Sequence, residues 1–135
     1  MNVVDSLPAE IRSPAPNSVA LVTGGNSGIG LETARQLLAL GVNVWIGARD
    51  LDKGQRAAAE LGSGARVVQL DVTDPSSVAA AVQQVGELDI LVNNAGVNPG
   101  NDDVVGTTLE QLRTAYETNV FGLISVTQGF LPALH

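Results

Sequence analysis

The sequence predicts an α/β domain built on a doubly wound parallel sheet, with about four strands and helices on both faces. Three observations carry that prediction. Short apolar runs alternate with segments of helical periodicity along most of the 135 residues. The first run breaks into a glycine-rich turn, Gly24 to Gly30, that opens straight into a helical pattern. A second polar turn, Asn93-Asn94-Ala95-Gly96, follows the fourth run. Strands separated by helices at such short spacing pair in parallel through right-handed crossovers, and the helices then cover both faces.

The elements follow in order. Residues 1–17 hold three of the six prolines and no apolar cluster, so a flexible arm is expected there, with the domain proper over 18–135. Asp5 and Glu10 stand where a signal peptide needs neutrality. Val19, Ala20, Leu21 and Val22 form a continuous apolar run, the mark of a strand buried on both faces. The helix that starts near Gly28 places Ala34, Leu37 and Leu38 on one face and stops at Gly41. Residues 42–48 read as a second strand. Asp50 caps a helix over Leu51 to Leu61 that ends at Gly62, and residues 65–70 form a third strand. Asp74, with Pro75 just inside, starts a helix carrying Val78, Val82 and Val85, and Leu88 to Asn93 is the fourth strand.

Thr108 and Gln111 form a capping box for a helix with Leu109, Leu112 and Tyr116. A second helix is expected to carry Val120, Phe121, Leu123, Ile124, Thr127 and Leu131, stopping before Pro132. In a doubly wound, Rossmann-like sheet the strand order is 3-2-1-4, and a ligand lies across the switch between strands 1 and 4.

Composition narrows the function. A net charge of −7, from 7 basic and 14 acidic residues, disfavours a nucleic-acid or anionic-membrane surface. With no cysteine and one histidine there is no disulfide framework, and a structural zinc site is not expected. No stretch has the apolar length of a membrane span, and a cytoplasmic protein is expected.

The glycine turn carries the chemistry. Glycine removes the Cβ that would hold a diphosphate away from the backbone, and the following helix offers unpaired N–H groups and a positive dipole end. The spacing Thr23-Gly24-x-x-x-Gly28-x-Gly30 is neither the common GxGxxG fingerprint nor a Walker loop. Together with Asn93-Asn94-Ala95-Gly96 it resembles the classical branch of the short-chain dehydrogenase/reductase family. The extended, epimerase-like branch fits less well, because Ser27 stands where that branch carries glycine. The resemblance runs from Val19 to about Leu134, the N-terminal, cofactor-binding portion of a family member.

The resemblance implies an NAD(P)(H)-dependent oxidoreductase that moves hydride between the nicotinamide and a carbonyl or alcohol. It implies cofactor-binding roles for Thr23, Gly24, Asn26, Ser27, Gly28, Ile29 and Gly30 in the turn. Asp71 would accept from the adenine amino group and the Val72 N–H would read the ring, although Asp71 also reads as a strand-end carboxylate capping Thr73. Asn93, Asn94, Ala95 and Gly96 would shape the adenosine-ribose side and steady the sheet. Users of NAD place an acid at the end of the second strand; here Ala48 stands there and Arg49 follows, which favours NADP, with NAD as the alternative. The bland reading of Arg49 is a solvated side chain paired with Asp50 or Asp52.

Asn119 matches the family's catalytic asparagine, whose helix-interrupting position holds a water of the proton relay; the residue also reads as a helix N-cap. The family's Ser, Tyr and the Lys four residues after that Tyr have no counterpart here. Tyr116 is followed four residues later by Val120, and the single lysine is Lys53. The chain is therefore expected to be the cofactor-binding half of an enzyme, truncated before its catalytic half. The alternatives are a non-catalytic dinucleotide-binding or scaffold remnant, or a product with no stable role. No fifth strand is evident, so the apolar fourth strand is expected to leave an edge guarded only by Asp89. Homo-oligomers, or pairing with a full-length relative, are expected to follow.

Overall fold

The computed structural model describes residues 6, 8, 14–99 and 103–135. Most of the expected arm therefore lies outside the described residues. Its last part forms a turn in which the Ser18 hydroxyl donates to the Ala15 carbonyl at 2.7 Å.

Four parallel strands follow the expected order: β3 (Ala65–Gln69), β2 (Asn43–Ala48), β1 (Val19–Thr23) and β4 (Ile90–Val92). They alternate with α1 (Gly28–Ala39), α2 (Leu51–Leu61) and α3 (Pro75–Val85). Because side chains alternate along a strand, β1 feeds two cores at once. Ala20 and Val22 pack with Ala34 of α1, Val42 and Val44 on one face. Leu21 joins Val68, Leu70, Val78 and Phe130 on the other. The caps behave as their sequence demands: Asp50 accepts from the Lys53 N–H at 3.2 Å, and Asp74 from the Ser76 N–H at 2.9 Å. No described helix is long and apolar enough to cross a membrane.

The two helices expected after Thr108 are joined. α4 (Leu109–Tyr116) starts at the complete Thr108–Gln111 capping box and continues through a π-helical turn, Glu117–Gly122, into α5 (Leu123–Phe130). The backbone stays helical at both junctions, so Asn119 is not an N-cap; it sits inside the wide turn. A π turn keeps the helix unbroken while shifting its faces, which periodicity across the segment does not reveal.

β4 is shorter than expected, and its outer edge is partly closed. Leu134 pairs in parallel with Leu88: the Leu88 N–H donates to the Ala133 carbonyl at 3.0 Å, and the His135 N–H to the Leu88 carbonyl at 3.2 Å. Asp89 does not guard that edge, because its carboxylate accepts the Val19 N–H at 2.8 Å on the β1 side. His135, without an evident partner in the sequence, lies 3.5 Å from the Glu87 carboxylate. The α4–α5 helix leaves Leu112, Tyr116, Phe121 and Ile124 exposed, and Leu131 in the turn after it is exposed as well.

Candidate functional site

A cleft of about 800 Å³ opens at the C-terminal ends of all four strands, where the connections from β1 and β4 diverge. Crevices in doubly wound sheets lie at this switch point. Its floor is the glycine turn. Gly24 has φ +61°, and a Cβ there would lie 3.1 Å from the Ala95 Cα, so both conformation and space require glycine. The turn is stapled to the end of β4 from 70 residues away in the chain. The Asn94 side-chain amide donates to the Thr23 and Gly24 carbonyls, each at 3.1 Å. The Thr23 hydroxyl oxygen accepts the N–H groups of Asn94 and Ala95, each at 2.9 Å, and donates to the Val92 carbonyl. Gly30 lets α1 close on this staple, since a Cβ there would meet the Asn94 amide nitrogen at 2.4 Å and the Gly24 carbonyl at 2.5 Å.

α1 differs from its neighbours at its N-terminus. Ser27 occupies the cap position without a side-chain cap bond, and the first turn holds no acid. The leading N–H groups and the dipole of that helix are thus not neutralised by the protein, which suits a phosphate anion. Asn26 and Ser27 line the cleft beside them.

Arg49 and Lys53 stand on the wall formed by the end of β2 and the first turn of α2. Among the described residues no ion pair joins Arg49 to Asp50 or Asp52. The Arg49 carbonyl accepts from the Gln69 side chain at 3.3 Å, which fixes the backbone and leaves the guanidinium at the cleft. Ala48, beside it, is buried.

Asp71 caps Thr73 and also lines the cleft. One carboxylate oxygen accepts from the Thr73 hydroxyl at 2.6 Å and the Thr73 N–H at 2.9 Å, and the same residue lines the cleft. The Thr73 hydroxyl, then its N–H and the charge of Arg49, hold the Asp71 carboxyl below the ordinary aspartate range against the opposing effect of burial. The Asp71 N–H donates to the Ser77 hydroxyl at 2.9 Å, anchoring the loop to α3. Val72 is buried behind it and still reaches the cleft.

The cleft thus gathers Gly24, Asn26, Ser27, Arg49, Asp71, Val72, Asn94, Ala95 and Gly96 from the sequence-derived set. Thr23 lies behind the floor as its brace, with Gly30 pressed against the staple. Gly28 and Ile29 open the helix outside the lining, and Ile29 is exposed. Asn93 turns away and donates to the Thr127 hydroxyl at 3.1 Å, tying β4 to α5. Asn119 also lies outside the lining. Its amide oxygen accepts the Val97 N–H at 2.8 Å and its amide nitrogen donates to the Val97 carbonyl at 2.9 Å. Val97 itself lines the cleft, so Asn119 orients the wall. Tyr116 is an exposed helix-face residue.

Sequence reasoning missed Gly47, Asp50, Lys53, Leu70, Thr73, Val97 and Thr118 as lining residues, although Asp50 was expected as a helix cap. Lys53 had a readable signal, one helical turn after Arg49; Thr118 and Val97 enter the cleft only through the π turn and its clamp.

The short chain dehydrogenase family model matches residues 18–135. The chain belongs to the short-chain dehydrogenase family. The short-chain dehydrogenase anuI of Penicillium roqueforti is 38% identical over 125 residues, covering 86% of this chain and 49% of that protein. A 3-ketoacyl-(acyl-carrier-protein) reductase from Brucella melitensis, solved with NADH, superposes with a TM-score of 0.79 at 32% identity over 87% of this chain and 50% of the other. A variant actinorhodin polyketide ketoreductase solved with NADPH gives 0.77 at 36% identity, over 87% and 47%. This member of the family spans about half the length of the relatives it matches.

Proposed function

We propose that this chain forms the nicotinamide-dinucleotide-binding part of an oxidoreductase that moves hydride between a carbonyl or alcohol and the cofactor, with NADP(H) preferred. The observation that carries the reading is one cleft joining the glycine turn and uncapped α1 terminus to the Arg49–Lys53 wall. The cofactor supplies the hydride chemistry; the chain binds and orients it. The α1 terminus and glycine turn hold the diphosphate, Arg49 takes the 2′-phosphate in a charge-assisted pair, and Asp71 with the Val72 N–H receives the adenine. The cleft-lining glycine floor is what a close-lying diphosphate needs, and the two cations fit the extra phosphate of NADP. Asn119 acts by holding Val97, since its amide spends both an acceptor and a donor on that backbone.

A calorimetric titration tests the reading. The chain binds NADPH more tightly than NADH, and Arg49→Ala removes most of the difference. A charge-assisted bond contributes about 1.5–3 kcal/mol, a ratio of roughly 10 to 150 in affinity. Equal affinity for the two cofactors would reduce Arg49 to a surface residue, and absence of binding would leave a scaffold role.

Association is part of the proposal. The exposed side chains of the α4–α5 helix and the open part of the β4 edge favour a homo-oligomer or pairing with a longer relative. Sedimentation velocity of the 135-residue chain is expected to show dimers or larger species. A monomer that unfolds cooperatively and binds no apolar dye would contradict it.

A further inference from the structure

We infer that Gly122 is a positioning residue for the adenine end of the cleft, coupling the π turn to the Asp71–Val72–Thr73 wall; the inference rests on the nucleotide reading above. Gly122 closes the π turn and is buried. A Cβ on it would lie 2.7 Å from Val72 Cγ2, 3.1 Å from the Val72 carbonyl oxygen and 3.0 Å from the Glu117 carbonyl oxygen. Two of those three atoms belong to backbone, which cannot rotate out of the way. The helix therefore seats directly on the residue whose N–H is assigned to the adenine ring. The same turn carries Thr118, which lines the cleft, and Asn119, which holds Val97. A side chain at 122 would push Val72 outward and tilt both neighbours.

Helix packing alone does not account for the position. Gly129, in α5 of the same continuous helix, is also tightly packed, its Cβ position lying 3.0 Å from Val78 Cγ1 and 3.4 Å from Val82 Cγ2. Those contacts are side-chain methyls of α3, away from the cleft. The two glycines form a matched pair in which only one touches the binding wall.

The probe is adenosine 2′,5′-bisphosphate, titrated calorimetrically into the chain. Gly122→Ala is expected to bind it roughly tenfold more weakly, since the added methyl overpacks against Val72 and displaces the wall that carries the Val72 N–H. Gly129→Ala is expected to stay within about twofold, whatever its effect on stability. With Val72→Ala as the reference, adding Gly122→Ala should cost distinctly less than tenfold, because the nearest clashing atom is gone. An unchanged affinity in Gly122→Ala, or an equal loss in the Val72→Ala background, overturns the inference alone. Failure of the unmodified chain to bind the bisphosphate overturns the nucleotide reading with it. Should Gly122→Ala not fold, hydrogen exchange on the unmodified chain decides. The bisphosphate should slow exchange at both Val72 and Glu117–Gly122, and slowing at Val72 alone overturns the inference.

Discussion

Purified alone, the 135-residue chain will show no consumption of NADPH with a panel of ketones and aldehydes. Hydride transfer to a carbonyl needs a group to polarise the oxygen and another to deliver a proton. Asn119 is the one residue that the resemblance places in the family's catalytic set, and its amide spends one donor and one acceptor on the Val97 backbone. Tyr116 cannot substitute: it is 56% exposed on the outer side of α4, outside the cleft, with Val120 four residues on. Lys53 belongs to α2 and lines the cleft beside Arg49. General acid–base assistance alone contributes about 10²–10⁴-fold, and losing it together with the oxyanion contact takes the rate to background. The decay of NADPH absorbance is the measurement, and turnover above background would mean that the described cleft already holds a complete site.

Gly30→Ala is expected to cost both stability and cofactor binding. Two effects oppose each other. Alanine inside a helix is favoured over glycine by about 0.5–1 kcal/mol. Against this, the new methyl would meet the Gly24 carbonyl at 2.5 Å and the Asn94 amide at 2.4 Å. Overpacking of that kind costs about 1–3 kcal/mol, and displacing Asn94 also leaves the Thr23 and Gly24 carbonyls without their donor at about 1–3 kcal/mol each. The clash wins. The Tm should fall by roughly 3–4 °C for each kcal/mol lost, and calorimetry should show weakened NADPH binding because Gly24 forms the floor of the cleft. An unchanged Tm and affinity would show that α1 can retreat from the staple without moving the turn.

The sequence by itself determined what short-range physics controls. The existence of the four strands, of the glycine turn and of the caps at Asp50, Asp74 and Thr108 depends on residues a few positions apart, and each appears, β4 in shortened form; the strand order followed from the alternation of strands and helices in a doubly wound sheet. Arg49 and Asp71 were singled out through the family resemblance at positions just after the second and third strands, and both line the cleft. Tertiary structure alone decided how these pieces meet. The Asn94 staple on the glycine turn spans 70 residues, and the Asn119 clamp on Val97 spans 22. The Leu134 bridge to Leu88, the seat of Gly122 on Val72 and the fusion of α4 with α5 likewise have no local signature. Local propensity fixes the pitch of each segment, while a side-chain amide chooses among backbone partners only after packing brings them within reach. Periodicity therefore named the elements and turns, and the approach of distant backbones determined which side chains line the cleft and which hold it open.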